Sequence, residues 1–151
     1  MIYVLVVDDI RRKAEAIQLN LQDPDFVKEI RREFNDDLSI LVAQVTQGAT
    51  ISEIVQSAKL ELSKIVEGSM LVTVLDLQMA GSYQGARLFI ADFESHTALG
   101  KIVVISDKVG QNHENVQELM ASYGAMYAIS STKSQRQMAV INALSFLKKG
   151  S

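Results

Sequence analysis

The sequence predicts an α/β domain in which helices cover both faces of a doubly wound, five-stranded parallel sheet. Three observations support this fold class. Short runs rich in β-branched residues alternate with segments of helical spacing along the 151 residues. Each run is almost continuously apolar, as in strands that are buried on both faces. No Pro/Gly/Ser-rich linker or internal repeat interrupts the series. We therefore expect a single domain over residues 1–151.

The expected elements follow one another in βα order. Strands are predicted at residues 2–7, 38–45, 70–75, 101–106 and about 125–129. Asp23 before Pro24 indicates an N-cap with proline at the first helical position, so an additional helix is expected over about residues 24–35. Thr50 and Glu53 form a possible capping box for a helix whose apolar stripe continues to Val66. The other helices are predicted near residues 10–21, 88–93, 116–123 and 134–149, the last with Ser131 and Ser134 as caps.

Composition excludes several classes of function. The 15 basic residues are scattered among 18 acidic ones, so no nucleic-acid surface is expected. Cysteine is absent, which excludes disulfides and thiolate catalysis and fits a cytoplasmic protein. The apolar runs are too short to span a membrane. The sequence lacks G-x-x-x-x-G-K-[ST], and no G-x-G-x-x-G follows the first strand, so an NTPase or a dinucleotide-dependent enzyme is not expected.

Three carboxylates end two of the predicted strands. Asp8 and Asp9 follow the first strand, and Asp76 follows the third. In the flavodoxin-like strand order 2-1-3-4-5, ligands bind where the winding direction reverses, between strands one and three. The three carboxylates would meet there and repel one another unless a cation lay among them. Mg²⁺ is the natural cation, because it takes oxygen ligands and bridges carboxylates to phosphate, and Asp76 could then accept a phosphoryl group.

The segments VLVVDD, VLDLQMAG and VVIS resemble the response-regulator receiver family, and the resemblance extends over the whole chain. It implies that Asp76 is the phosphoacceptor and that Asp9 ligates Mg²⁺ directly. It also implies that Asp8 binds Mg²⁺ directly or through water, and that the backbone carbonyl of Gln78 completes the protein ligands. Ser106 would then hydrogen-bond to the phosphoryl group.

The sequence departs from the family pattern around the fifth strand. The family lysine that contacts the phosphoryl group falls at Ser131, and Lys133 follows two residues later, a displacement of roughly 6 to 7 Å along an extended strand. Lys133 is therefore a candidate for this role, and Lys108 is a second one. The family's switch aromatic falls at Ala128, with Tyr127 on the opposite face. Asp107 adds negative charge next to Ser106.

These observations lead to one principal hypothesis and two alternatives. The first is a stand-alone receiver, not an enzyme, that accepts phosphate from a histidine kinase or phosphotransfer protein and signals to a protein partner through about residues 109–148. The second is a pseudo-receiver, a phosphorylation-independent interaction module whose extra helices form a partner surface or a homodimer interface. The third is a metal-dependent phosphatase, although Gln78 stands where a second acid would be needed.

Overall fold

The computed structural model describes residues 1–106 and 113–150 and contains the predicted five-stranded parallel sheet. The strand order is β2-β1-β3-β4-β5, as predicted. The strands are β1 (Ile2–Val7), β2 (Leu38–Val42), β3 (Met70–Asp76), β4 (Lys101–Ser106) and β5 (Met126–Ile129). The α-helices are α1 (Arg11–Leu21), α2 (Pro24–Phe34), α3 (Ile51–Leu62), α4 (Gly85–Ala91), α5 (His113–Tyr123) and α6 (Lys133–Lys149), with a short 3-10 helix at His96–Leu99.

Two apolar clusters lie on the two faces of this sheet. On one face, residues of α3, α4 and α5, among them Ile54 and Phe89, pack against Leu5 and Leu75 of the central strands. On the other face, α1, α2 and α6 pack against the alternate residues of the same strands. All six residues of β1 are buried, which explains why its sequence is a continuous apolar run rather than an alternating one. Among the described residues, no helix is both long enough and apolar enough to cross a bilayer.

The additional helix α2 is part of the core. It begins as expected, with the Asp23 carboxylate accepting a hydrogen bond of 3.4 Å from the N–H of Phe26 and with proline at the first helical position. Phe26 and Ile30 are almost completely buried against the sheet. The apolar face of α2 therefore contacts its own chain, and the exposed side of the helix carries charged residues such as Lys28, Arg31 and Arg32.

Three elements differ from their predicted bounds. Helix α4 spans Gly85–Ala91, so Phe93, which was expected within it, lies beyond its end. The second strand is predicted over residues 38–45, but β2 ends at Val42 because β1, the strand with which it pairs, ends at Val7. The N–H of Ala43 makes a last backbone hydrogen bond to Val6, and the chain then leaves the sheet. The third helix has the expected capping box but ends at Leu62. There the Ser63 hydroxyl bonds to the Leu60 carbonyl and competes with the helical pattern.

Candidate metal centre

The structure brings together the three carboxylates that the sequence singled out. Asp8 follows β1 directly, and Asp76 is the last residue of β3, the strand that pairs with β1. One oxygen each from Asp8, Asp9 and Asp76 lies within 4.8 Å of the other two. Asp8 is 2% exposed and Asp76 is 8% exposed. These acids therefore lie at the carboxyl ends of two central strands, at the point where the winding direction of the sheet reverses.

Backbone hydrogen bonds orient two of these carboxylates. Oδ1 of Asp8 accepts from the N–H of Ile10 at 2.8 Å, and Oδ2 of Asp9 accepts from the N–H of Ala80 at 2.9 Å. Ala80 adopts a left-handed backbone conformation with φ of 51°, which few non-glycine residues do. The loop after β3 is thus folded back so that its backbone donates a hydrogen bond to an acid that follows β1.

The donor set fits a hard divalent cation. Carboxylate oxygens at this spacing repel one another in a partly buried site, and a cation among them removes that repulsion. Mg²⁺ prefers one or two carboxylates together with water and phosphate oxygens, and Asp9 remains partly exposed to water. Gln78 lies two residues beyond Asp76 with its side chain exposed. The role of its carbonyl as a ligand stays a prediction.

A small cavity of about 30 Å³ lies beside two of the acids, Asp8 and Asp76. This is more than the roughly 10–15 Å³ that a single water requires and far less than the pockets of about 300–1,000 Å³ that hold organic ligands. Ser106, at the end of β4, lines it as expected for a residue that contacts a bound group. Among the described residues, the lining consists of Asp8, Lys13, Ile17, Asp76, Ile105, Ser106, Ser130 and Arg136.

Lys133 is directed away from this cavity. Its Nζ lies 3.2 Å from Oδ1 of Asp23, and its side chain is 53% exposed. Lys133 thus joins the start of α6 to the start of α2 and does not line the cavity. Ser131 is also exposed and donates to Oε1 of Gln135 through both its N–H and its hydroxyl. The structure therefore supplies no support for Lys133 as the cation beside Asp76.

Two further sequence predictions concern residues near the site. Thr132, rather than Ser131 or Ser134, is the N-cap of α6 and forms a capping box with Gln135. Tyr127 and Ala128 pack on opposite faces of the sheet, as predicted, so the position to which the resemblance assigns a switch aromatic carries only a methyl group. Asp107 and Lys108 lie outside the described residues.

Sequence reasoning missed three residues that line the cavity: Lys13, Ser130 and Arg136. Lys13 lies in the first turn of α1, the helix that begins just after Asp8 and Asp9, so its closeness to these acids in sequence was a usable signal. Ser130 carried no local signal, because its burial follows from the pairing of its backbone N–H with the carbonyl of Ser106, in another strand. Arg136 carried no local signal, because its position depends on the packing of α6 against α1, more than a hundred residues earlier in the chain.

No protein-family model matches the sequence, and no curated protein matches it either.

Proposed function

We propose that this protein is a response-regulator receiver that accepts a phosphoryl group on Asp76 in a Mg²⁺-dependent reaction. The observation that supports the proposal is the cluster of Asp8, Asp9 and Asp76 at the switch point of a 2-1-3-4-5 sheet. Ser106 borders the same cavity from the neighbouring strand β4. This set combines a nucleophile, two further acids and a hydroxyl donor within one site.

The transfer reaction requires a simple exchange of bonds. An oxygen of the Asp76 carboxylate attacks phosphorus in line with the leaving group, and an acyl phosphate bond forms. The bond from phosphorus to the donor atom breaks, and the donor keeps its electron pair. Bound Mg²⁺ would neutralise charge on the phosphoryl oxygens. Asp8 and Asp9 would hold the cation, while the Ser106 hydroxyl would donate to a phosphoryl oxygen.

The size of the cavity favours this reaction over the turnover of an organic substrate. The cavity of about 30 Å³ among the described residues suits water and a small ionic group, so we expect the donor to present its phosphoryl group from outside. A phosphohistidine on a histidine kinase or phosphotransfer protein is a donor of this kind. We therefore expect the physiological donor to be a protein.

Intact mass after incubation with acetyl phosphate and Mg²⁺ tests the proposal. We expect one added phosphoryl group on the wild-type protein and none on Asp76→Asn or on a chelated sample. Asp92→Asn is the matched control, since Asp92 is an exposed acid at the end of α4 and should leave labelling unchanged. Circular dichroism of each variant checks that the fold is retained.

A folded wild-type protein that gains no mass would contradict the proposal. This result would favour the pseudo-receiver hypothesis. A specific observation supports that hypothesis, because Lys133 pairs with Asp23 and does not line the cavity beside Asp76. A mass gain that persists in Asp76→Asn would place the acceptor elsewhere and would also contradict the proposal.

We expect the signal to be transmitted through α5, β5 and α6, within about residues 109–148, of which residues 109–112 lie outside the described part of the chain. Apolar side chains are exposed on both helices: Met120 on α5 is 48% exposed, and Met138 on α6 is 54% exposed. Single exposed apolar side chains are ordinary on protein surfaces, and Leu19 on α1 and Leu60 on α3 are more exposed still, so the assignment follows from the family resemblance. Amide chemical-shift changes on phosphorylation should concentrate in this stretch, and a uniform change over the remaining surface would contradict the assignment.

A further inference from the structure

Two buried hydrogen-bond donors at the cavity have no partner among the described residues. Ser130, which follows β5, is 4% exposed, and its hydroxyl oxygen makes no hydrogen bond. The Nε of Arg136, in the first turns of α6, is also buried and makes none. Buried donors are almost always paired, because leaving one without a partner costs the full desolvation of the group. Both donors belong to residues that line this one cavity, so together they indicate a missing acceptor.

The surrounding structure fixes both donors in place. The N–H of Ser130 donates to the carbonyl of Ser106 at 2.9 Å, which holds Ser130 beside the end of β4. One terminal nitrogen of Arg136 donates to Oδ1 of Asn20 on α1 at 2.8 Å. Gln137 also donates to the carbonyl of Asn20, at 2.9 Å. The guanidinium is thus anchored at one edge, while its Nε remains available on another.

The chemistry of the missing acceptor follows from these donors. A hydroxyl and a guanidinium N–H both donate, and the guanidinium also carries a fixed positive charge. Lys13 adds a second cation to the lining of the same cavity. An anionic group with several oxygens meets all of these requirements, and a phosphoryl group presents three. Asp76 lines the same cavity, so a phosphoryl group attached to it would lie next to these donors.

We propose that Arg136 and Ser130 bind the phosphoryl oxygens on Asp76 and that Arg136 supplies the cation which the family resemblance assigns to a strand-five lysine. This inference rests on the proposed function. In this inference the cation that contacts the phosphoryl group comes from α6 rather than from the end of β5. Helix α6 is hydrogen-bonded to α1 through Asn20. A phosphoryl group on Asp76 would then contact α6 directly.

Binding of trifluoroberyllate, a phosphoryl mimic that coordinates a carboxylate oxygen, tests the inference by ¹⁹F NMR in the presence of Mg²⁺. We expect Arg136→Gln to weaken this binding by about tenfold to a hundredfold, the range for a charge-assisted hydrogen bond. Arg136→Lys should recover part of the loss. Lys133→Gln is the matched control on the same helix and should change the affinity less than about twofold, as expected for an exposed ion pair.

The affinity for Mg²⁺ is a second readout, which distinguishes direct binding of the phosphoryl mimic by Arg136 from a merely structural role of this residue. Arg136→Gln should leave the affinity for Mg²⁺ alone unchanged or slightly higher, because it removes a positive charge near the cation. Asn20→Ala removes the anchoring bond but keeps the Nε donor, and it should weaken trifluoroberyllate binding less than Arg136→Gln does. Equal losses of Mg²⁺ and trifluoroberyllate affinity in Arg136→Gln would show a structural effect and would overturn the inference.

The remaining outcomes distinguish this inference from the proposed function. If wild type binds trifluoroberyllate and Arg136→Gln binds it equally well, the inference fails and the proposed function stands. If wild type binds none, titration with inorganic phosphate, followed at the Ser130 amide, decides between the remaining possibilities. Phosphate binding that is lost in Arg136→Gln would support an anion site without phosphotransfer. No binding would mean that only water occupies the cavity, and both proposals would fail.

Discussion

Gly85 lies where the loop after Asp76 comes closest to itself. A Cβ on Gly85 would collide with the carbonyl oxygen of Met79 and lie 2.7 Å from its backbone nitrogen. Met79 is fully buried and exchanges two backbone hydrogen bonds of 3.0 Å with Ser82, so it has little freedom to move. We expect Gly85→Ala to destabilise the protein by about 1–3 kcal/mol, the usual range for overpacking, as measured by urea unfolding.

Gly85→Ala should also weaken metal binding. Met79 precedes Ala80, whose N–H bonds to Asp9, so a shift of Met79 would displace one of the acids. Gly150→Ala is the matched control, because its nearest contact would be an ordinary 3.6 Å. It should leave both stability and Mg²⁺ affinity close to those of wild type. Unchanged stability in Gly85→Ala would show that the loop relaxes and that Gly85 is not required there.

The capping box at the start of α3 gives this element a dependence on pH. The backbone N–H and the hydroxyl of Thr50 both donate to the Glu53 carboxylate and lower its pKa below the ordinary 4.5, the backbone bond having the larger effect. A carboxyl whose pKa is lower in the folded state stabilises the protein above its unfolded pKa. This contribution is lost as the pH falls through the folded pKa.

We therefore expect Glu53→Gln to reduce stability at neutral pH, and the difference from wild type to shrink as the pH falls below the ordinary glutamate pKa and through the lowered pKa of Glu53 in the folded state. Glutamine can still form a capping box, so the pH-dependent part of the difference reports the charge. Thermal unfolding at several pH values measures it. Glu67→Gln, an exposed site in the segment between α3 and β3, is the control for general charge effects. A difference that is constant with pH would contradict this account.

The elements were predictable where the signal is local. β1 and β4 have the predicted bounds, because each is a continuous apolar run buried on both faces. The end of β2 was not predictable, since Val45 continues the apolar pattern while the strand ends where its neighbour does. The cap of α6 was misassigned among adjacent hydroxyl residues, any of which could serve as a cap. Boundaries therefore depend on partners that are distant in sequence.

At the scale of the whole molecule, some residues of the candidate site could likewise be predicted from local sequence and others could not. Asp8, Asp9 and Asp76 could be found because each ends a strand and parallel strands place their carboxyl ends together. Arg136 could not, because it reaches the cavity only through the packing of α6 against α1. Local sequence thus identifies the acids, while the assembled fold determines which cations face them.

Because the acids are attached to two central strands, metal binding should stabilise the whole protein rather than a loop. Mg²⁺ that binds only the folded state adds about 2.7 kcal/mol at a concentration of one hundred times its Kd. We expect MgCl₂ to raise the Tm of wild type at constant ionic strength. Asp9→Asn should retain the hydrogen bond from Ala80, since its amide oxygen can accept it, but should lose most of the Mg²⁺-dependent gain. Asp92→Asn should keep the full gain. An equal gain in wild type and Asp9→Asn would mean that Mg²⁺ binds elsewhere, and no gain in wild type would exclude this cluster as a Mg²⁺ site at the concentrations tested.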